Sequence, residues 1–176
     1  AKQSEYYRLK RKWWEDIDMQ NNDDFWKDQK SRIEKDVLRT DRQLPIFATS
    51  DIPHPDPESR FAVSGANPHL EQLRDILTTY NEYNVNLGYV QGMTDLLSPL
   101  YVVLQDDSLA FTAFCAFMER MERNFMRTQE GMRDQLQTLG HLTNFLLPRL
   151  HAHLTKADSS HFFFFFRMIL VWFKRE

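Results

Sequence analysis

At 176 residues the chain is long enough for one sizeable hydrophobic core, and its 42% hydrophobic, 27% charged and 14% aromatic residues are those of a globular protein. A net charge of −3 gives no general electrostatic drive toward nucleic acid or an anionic membrane. The single cysteine, Cys115, cannot close an internal disulfide and points to a reducing, cytoplasmic setting. The longest apolar run, residues 162–173, is interrupted by Arg167 and is too short to span a bilayer, so no transmembrane segment is expected. The N-terminus is charged and lacks the apolar stretch of a secretory signal.

Helical periodicity starts at once. Tyr6, Leu9, Trp13 and Ile17 fall on one stripe at three- and four-residue spacing, with Lys and Arg between them. The cluster Asn21-Asn22-Asp23-Asp24 is a poor helix interior and a good N-terminal cap. A second stripe, Trp26, Gln29, Ile33 and Val37, then leads to Arg39, so two helices are predicted in the first forty residues. Residues 41–67 lose the pattern and hold four of the seven prolines (Pro45, Pro53, Pro55 and Pro57), which predicts a long loop. A loop of that length is either functional or a variable insertion with no role, and composition does not choose between them.

Asn67-Pro68 supplies a cap followed by proline at the first helical position, ahead of the apolar face Leu70, Leu73, Ile76, Leu77 and Tyr80. Residues 84–88 break this helix. Another is predicted from near Gln91, through Leu96, Leu97, Leu100, Val103 and Leu104, with a kink at Pro99. Asp107-Ser108 reads as the cap of the next, whose face is Phe111, Phe114, Met118, Met121 and Phe125. A long helix follows from Met132 to Leu154, bent at Pro148. Residues 162–173, apolar all round, predict a final helix buried on several sides. No alternating pattern or internal repeat intervenes, and the expected fold class is all-α.

Several chemistries are excluded by what the sequence lacks. None of the scattered glycines precedes Lys-Ser or Lys-Thr, so there is no phosphate-binding loop, and there is no Gly-x-Ser-x-Gly elbow. Cys115, between Phe114 and Phe117, reads as a core residue rather than a nucleophile. The acidic stretch 16–24 lacks the mid-loop glycine and closing glutamate of a calcium loop. His151 and His153, two apart on a predicted helix, point to different faces and make a poor metal pair.

Two short segments remain. In the first, residues 33–42, Asp36 lies three residues before Arg39, within reach of its guanidinium on a helix. In the second, residues 88–93, Gly88 and Gly92 flank Tyr89-Val90-Gln91 at a turn into a helix, which lets another backbone approach and leaves the glutamine amide unobstructed. Taken singly, each has an ordinary explanation: a solvated charged face for Arg39, a helix-start surface residue for Gln91.

As an ordered pair, Ile33-x-x-Asp36-x-x-Arg39 and Tyr89-x-Gln91 resemble the double signature of TBC domains, which accelerate GTP hydrolysis on Rab GTPases. The continuations Thr40-Asp41-Arg42 and Gly92-Met93, with Asp95-Leu96-Leu97-Ser98-Pro99, fit the same family and its Gyp7-like subgroup. The resemblance runs through most of the chain and skips the proline-rich loop. It implies a multi-helix TBC fold in which residues 1–176 form part of the domain, without its first helix and its C-terminal lobe. It implies Arg39 and Gln91 as catalytic arginine and glutamine fingers, with Asp36, Tyr89, Gly88 and Gly92 supporting them. The implied partner is a Rab in its GTP-bound form. GTP and Mg²⁺ belong to that GTPase, and the chain itself is expected to need no cofactor and no metal. The implied setting is cytoplasmic, peripheral to endosomal or vacuolar membranes. The alternative is a non-catalytic Rab-binding module or a plain helical scaffold.

Overall fold

The computed structural model describes residues 2–48 and 67–175. Its order is α1 (Lys2–Glu15), α2 (Ile17–Asn22), α3 (Asp24–Leu38), a 3-10 turn (Pro45–Phe47), α4 (Pro68–Tyr83), α5 (Met93–Leu104), α6 (Asp107–Phe125), α7 (Glu130–Leu146), α8 (Pro148–Lys156), a second 3-10 turn (Phe163–Phe165) and α9 (Phe166–Leu170). Among the described residues there is no strand, and the fold is all-α as expected. No helix among them is long and apolar enough to cross a membrane. The chain divides into two compact units, with the boundary inside α6 between Met118 and Glu119.

The first unit is built around α4, which packs against α1, α3 and α5. Asn67 caps α4 by accepting the His69 N–H at 2.8 Å, and Pro68 opens its first turn. Every residue from Leu73 to Asn81 is buried, so α4 is enclosed on all sides rather than along the predicted stripe alone. Its apolar residues Leu73, Ile76 and Leu77 are wholly covered, each stabilising the fold by about 1.5–3 kcal/mol. Several of its polar residues find partners instead. Arg74 meets the Asp75 carboxylate at 2.6 Å, Lys10 of α1 reaches the other oxygen of Asp75 at 2.9 Å, and the Trp13 indole N–H donates to Thr79 at 3.0 Å.

The first forty residues hold three helices rather than two. Asp16 accepts the Met19 N–H at 2.9 Å and starts α2, while Gln20 donates to the end carbonyls of Trp13 and Trp14 at 2.7 and 3.1 Å. The stripe of α1 therefore ends at Trp13, and Ile17, predicted to continue it, is 66% exposed. Asp23 caps α3 by accepting the Trp26 N–H at 2.9 Å. The predicted loop at 41–67 is described only as far as Ala48, as a turn followed by Pro45–Phe47, with Phe47 buried. Residues 49–66, including Pro53, Pro55 and Pro57, lie outside the described residues. At α6 the cap is Asp106 rather than the predicted Asp107-Ser108. Its carboxylate accepts the Leu109 N–H at 2.8 Å, and that bond holds the Asp106 pKa below its usual value.

The second unit departs further from expectation. Proline at 148 divides the predicted long helix instead of bending it: Leu147 leaves helical geometry (φ −133°, ψ 60°) and Pro148 opens α8. On α7, Met132 and Thr143 are buried, whereas Leu142 and Leu146 are exposed and Phe145 is 83% exposed. Residues 162–173 do not make a helix buried on several sides. Phe162, Trp172 and Phe173 adopt positive φ, α9 is confined to Phe166–Leu170, and Phe163 is 63% exposed. Consecutive phenylalanines would occupy the whole circumference of a helix. Only Phe162 and Val171 of this segment are buried.

Candidate functional site

The arginine segment is the C-terminal end of α3. Ile33 and Val37 are buried and turn this face of the helix inward, which brings Asp36 in with them. Arg39 is the C-cap (φ −106°, ψ −1°), and Thr40 closes the end by donating its hydroxyl to the Asp36 carbonyl at 2.7 Å. Asp41 follows in the left-handed region (φ 45°), and its carboxylate accepts the Ser98 hydroxyl of α5. The Arg39 guanidinium bonds the Asp36 carboxylate, yet its side chain remains 54% exposed. Held through one terminal nitrogen of the guanidinium and otherwise open to solvent, it can still meet a ligand.

The glutamine segment joins α4 to α5. Asn84 organises its start: its side chain accepts the Leu87 N–H at 3.3 Å and its carbonyl accepts the Gly88 N–H at 2.8 Å. Gly88 has φ +66°, and a Cβ there would stand 3.1 Å from the Gln29 amide oxygen and 3.3 Å from that of Asn81. Tyr89 is buried and tied to α3 twice. Its N–H donates to Gln29 Oε1 at 2.7 Å and its phenol donates to Asp36 Oδ2 at 2.6 Å. Burial, and secondly the bond to the Asp36 carboxylate, push the Tyr89 phenol far above the usual tyrosine range. Gly92 caps α5 at φ 103°, and Gln91, between these fixed points, is exposed.

The two segments meet. Arg32, Lys35, Asp36, Arg39, Tyr89 and Gln91 line one open pocket of about 310 Å³. Asp36 is the hinge of this arrangement, with one carboxylate oxygen on Arg39 and the other on Tyr89. Three cations against one carboxylate leave the pocket lining net positive. Arg32 is partly neutralised by Asp28 at 2.8 Å. Among the described residues no group of three or more His, Cys, Asp or Glu side chains could hold a metal ion.

All six residues singled out from the sequence lie in or directly beside this pocket: Arg39, Asp36, Tyr89 and Gln91 in its wall, Gly88 and Gly92 at the bends on either side of Tyr89 and Gln91. Gln29, Arg32 and Lys35 were not among them. Gln29 did carry a signal, as the one amide on an otherwise apolar stripe. Arg32 and Lys35 read as ordinary surface charge.

The family model described as Rab-GTPase-TBC domain matches residues 1–176. The chain belongs to this family. It is 58% identical over 180 residues to GTPase-activating protein GYP7 of Yarrowia lipolytica, an alignment covering 98% of the chain and 24% of that relative. GYP7 of Saccharomyces cerevisiae is 47% identical over 197 residues, covering 98% and 26% respectively. TBC1 domain family member 17 of Homo sapiens is 40% identical over 176 residues, covering 99% and 25%. The chain thus spans about a quarter of the length of these relatives, and the Gyp7-like likeness read from the TBC signature is matched by the names of the first two.

Proposed function

We propose that this TBC chain supplies both fingers of a GTPase activator for a Rab in its GTP-bound form. The observation that carries the reading is the shared pocket: Arg39 and Gln91, far apart in sequence, line one opening and are both exposed within it. GTP hydrolysis on a small GTPase is slow because charge building on the phosphoryl oxygens is poorly neutralised and the attacking water poorly held. Arg39 reaches the transferring phosphoryl group and stabilises that charge. Gln91 orients the water. Asp36 positions Arg39, while Tyr89, Gly88 and Gly92 shape the loop that presents Gln91. The nucleotide and Mg²⁺ arrive with the GTPase, so this chain contributes side chains and no cofactor. Its place of action is the cytoplasmic surface of endosomal or vacuolar membranes, reached through the partner.

The test is single-turnover phosphate release from a panel of GTP-loaded Rabs, with wild-type protein, Arg39→Ala and Gln91→Ala. The expected result is acceleration on one or a few Rabs, lost in both variants. Binding of GTP-loaded Rab without acceleration would leave a binding module and overturn the catalytic reading.

A further inference from the structure

Gln29 takes no part in the mechanism above, yet it is buried on the stripe of α3 between Trp26 and Ile33, where an aliphatic side chain would serve packing alone. Its oxygen accepts the Tyr89 N–H at 2.7 Å. The absence of a side chain at Gly88 keeps this approach open, since a Cβ would press on the same oxygen from 3.1 Å. Tyr89 is therefore clamped between two points of α3, Gln29 at its backbone and Asp36 at its phenol, seven residues apart on one helix face. An anchor at the phenol alone would let the peptide swivel about the side chain. The second anchor fixes the backbone two residues before Gln91.

We propose that Gln29 is a positioning residue for the glutamine finger, acting through the Tyr89 backbone to set where the Gln91 amide points. The inference rests on the activator reading and deepens it. Asp36 bonds both segments, whereas the Gln29 oxygen bonds the loop that carries Gln91. Its contribution is accordingly coupled to Gln91.

The experiment compares wild type, Gln29→Met, Gln29→Glu, Gln91→Ala and the Gln29→Met/Gln91→Ala pair in single-turnover phosphate release, on a Rab that the wild type accelerates. Gln29→Met keeps the volume and removes the acceptor, and the maximal rate should fall about ten- to a hundredfold with the half-saturating GTPase concentration unchanged. Gln29→Glu keeps an acceptor for the N–H and should stay within about threefold of wild type. Adding Gln29→Met to Gln91→Ala should slow the reaction no further. Amide hydrogen exchange at Tyr89 should quicken in Gln29→Met while the core of α3 stays protected. A full additional loss in the double variant, or equal loss in Gln29→Met and Gln29→Glu, would overturn the proposal and leave the activator reading standing. A wild type that accelerates no Rab, or an unimpaired Gln91→Ala, would overturn both. Should Gln29→Met fail to fold, Gly88→Ala displaces the same oxygen, and full activity in a folded Gly88→Ala would refute the positioning role.

Discussion

Replacing Asp36 by asparagine separates what this carboxylate does for the fold from what it does for Arg39. The side chains have the same shape, so packing against Ile33 and Val37 is preserved. With its oxygen turned to Tyr89, the asparagine still accepts the phenol proton, now as a neutral acceptor worth about 1 kcal/mol less than a charged one. Its amide N–H₂ then faces the guanidinium, donor against donor, and Arg39 is released. Because Arg39 is 54% exposed, its lost ion pair costs at most about 1 kcal/mol of stability. The sum, about 1–2 kcal/mol, corresponds to a fall of roughly 2–8 °C in Tm for a chain of this size. The rate should suffer more. A freed arginine regains up to about 2 kcal/mol of rotamer entropy, which must be lost again at each encounter. At about 1.4 kcal/mol per decade that is a loss of up to about thirtyfold in kcat. Removing an arginine finger outright is far worse, about 10³- to 10⁵-fold in the case of Ras and its activator. Asp36→Asn should therefore fall between wild type and Arg39→Ala in phosphate release, with KM little changed. A folded Asp36→Asn protein at the wild-type rate would refute the idea that this carboxylate positions the finger.

Lysine at position 39 keeps the charge but loses the planar fork, so Arg39→Lys should be nearly as slow as Arg39→Ala in the same assay; near-normal turnover would sink the arginine-finger role. Tyr6, Tyr89 and Tyr101 are all held above the ordinary tyrosine value of 10.0, in each case chiefly by burial. Each keeps its proton in the folded chain after the unfolded chain has lost it, so its stabilisation is complete below pH 10 and declines as pH rises. The unfolding free energy from urea titrations between about pH 9 and 11 should fall, by up to about 1.4 kcal/mol per pH unit for each tyrosine above pH 10, and less steeply in Tyr89→Phe. In the second unit, a Cβ at Gly131 would stand 2.6 Å from the Arg123 carbonyl oxygen, a backbone atom that cannot yield without moving α6 from α7. Gly131→Ala should lower the thermal midpoint by the equivalent of about 1–3 kcal/mol, and an unchanged melt would show that the helices part freely.

What the sequence made legible was chiefly local. The caps Asp23 and Asn67 with Pro68, and the apolar faces of α4 and α6, follow from spacing and cap chemistry that act within a few residues. The failures occurred where a local rule had competition. Ile17 kept the stripe of α1, but the Asp16 carboxylate had a nearer donor in Met19 N–H and began a new helix. Pro148 was recognised as a disturbance, yet whether it bends or breaks a helix depends on neighbours that periodicity does not reveal. Residues 162–173 had composition without direction, and an apolar residue is buried only if some element is present to cover it.

The candidate site divides along the same line. Asp36 and Arg39 stand three residues apart on one helix, so their pairing could be read from spacing alone. That Asp36 also receives the Tyr89 phenol, that Gln29 receives the Tyr89 N–H, and that Asp41 receives the Ser98 hydroxyl are contacts across 53, 60 and 57 residues. No periodicity encodes them, and the family signature names the residues without saying how they are joined. Each of the three links the α3 side of the pocket to the Gln91 side. Arg39 and Gln91 thus share a frame whose members are fixed to one another through side chains that are buried, save the half-buried Asp41. A chain selected only to present two exposed polar residues would have no need of a buried amide at position 29, a phenol pointed at a carboxylate, and a glycine at 88 that leaves room for the Gln29 oxygen.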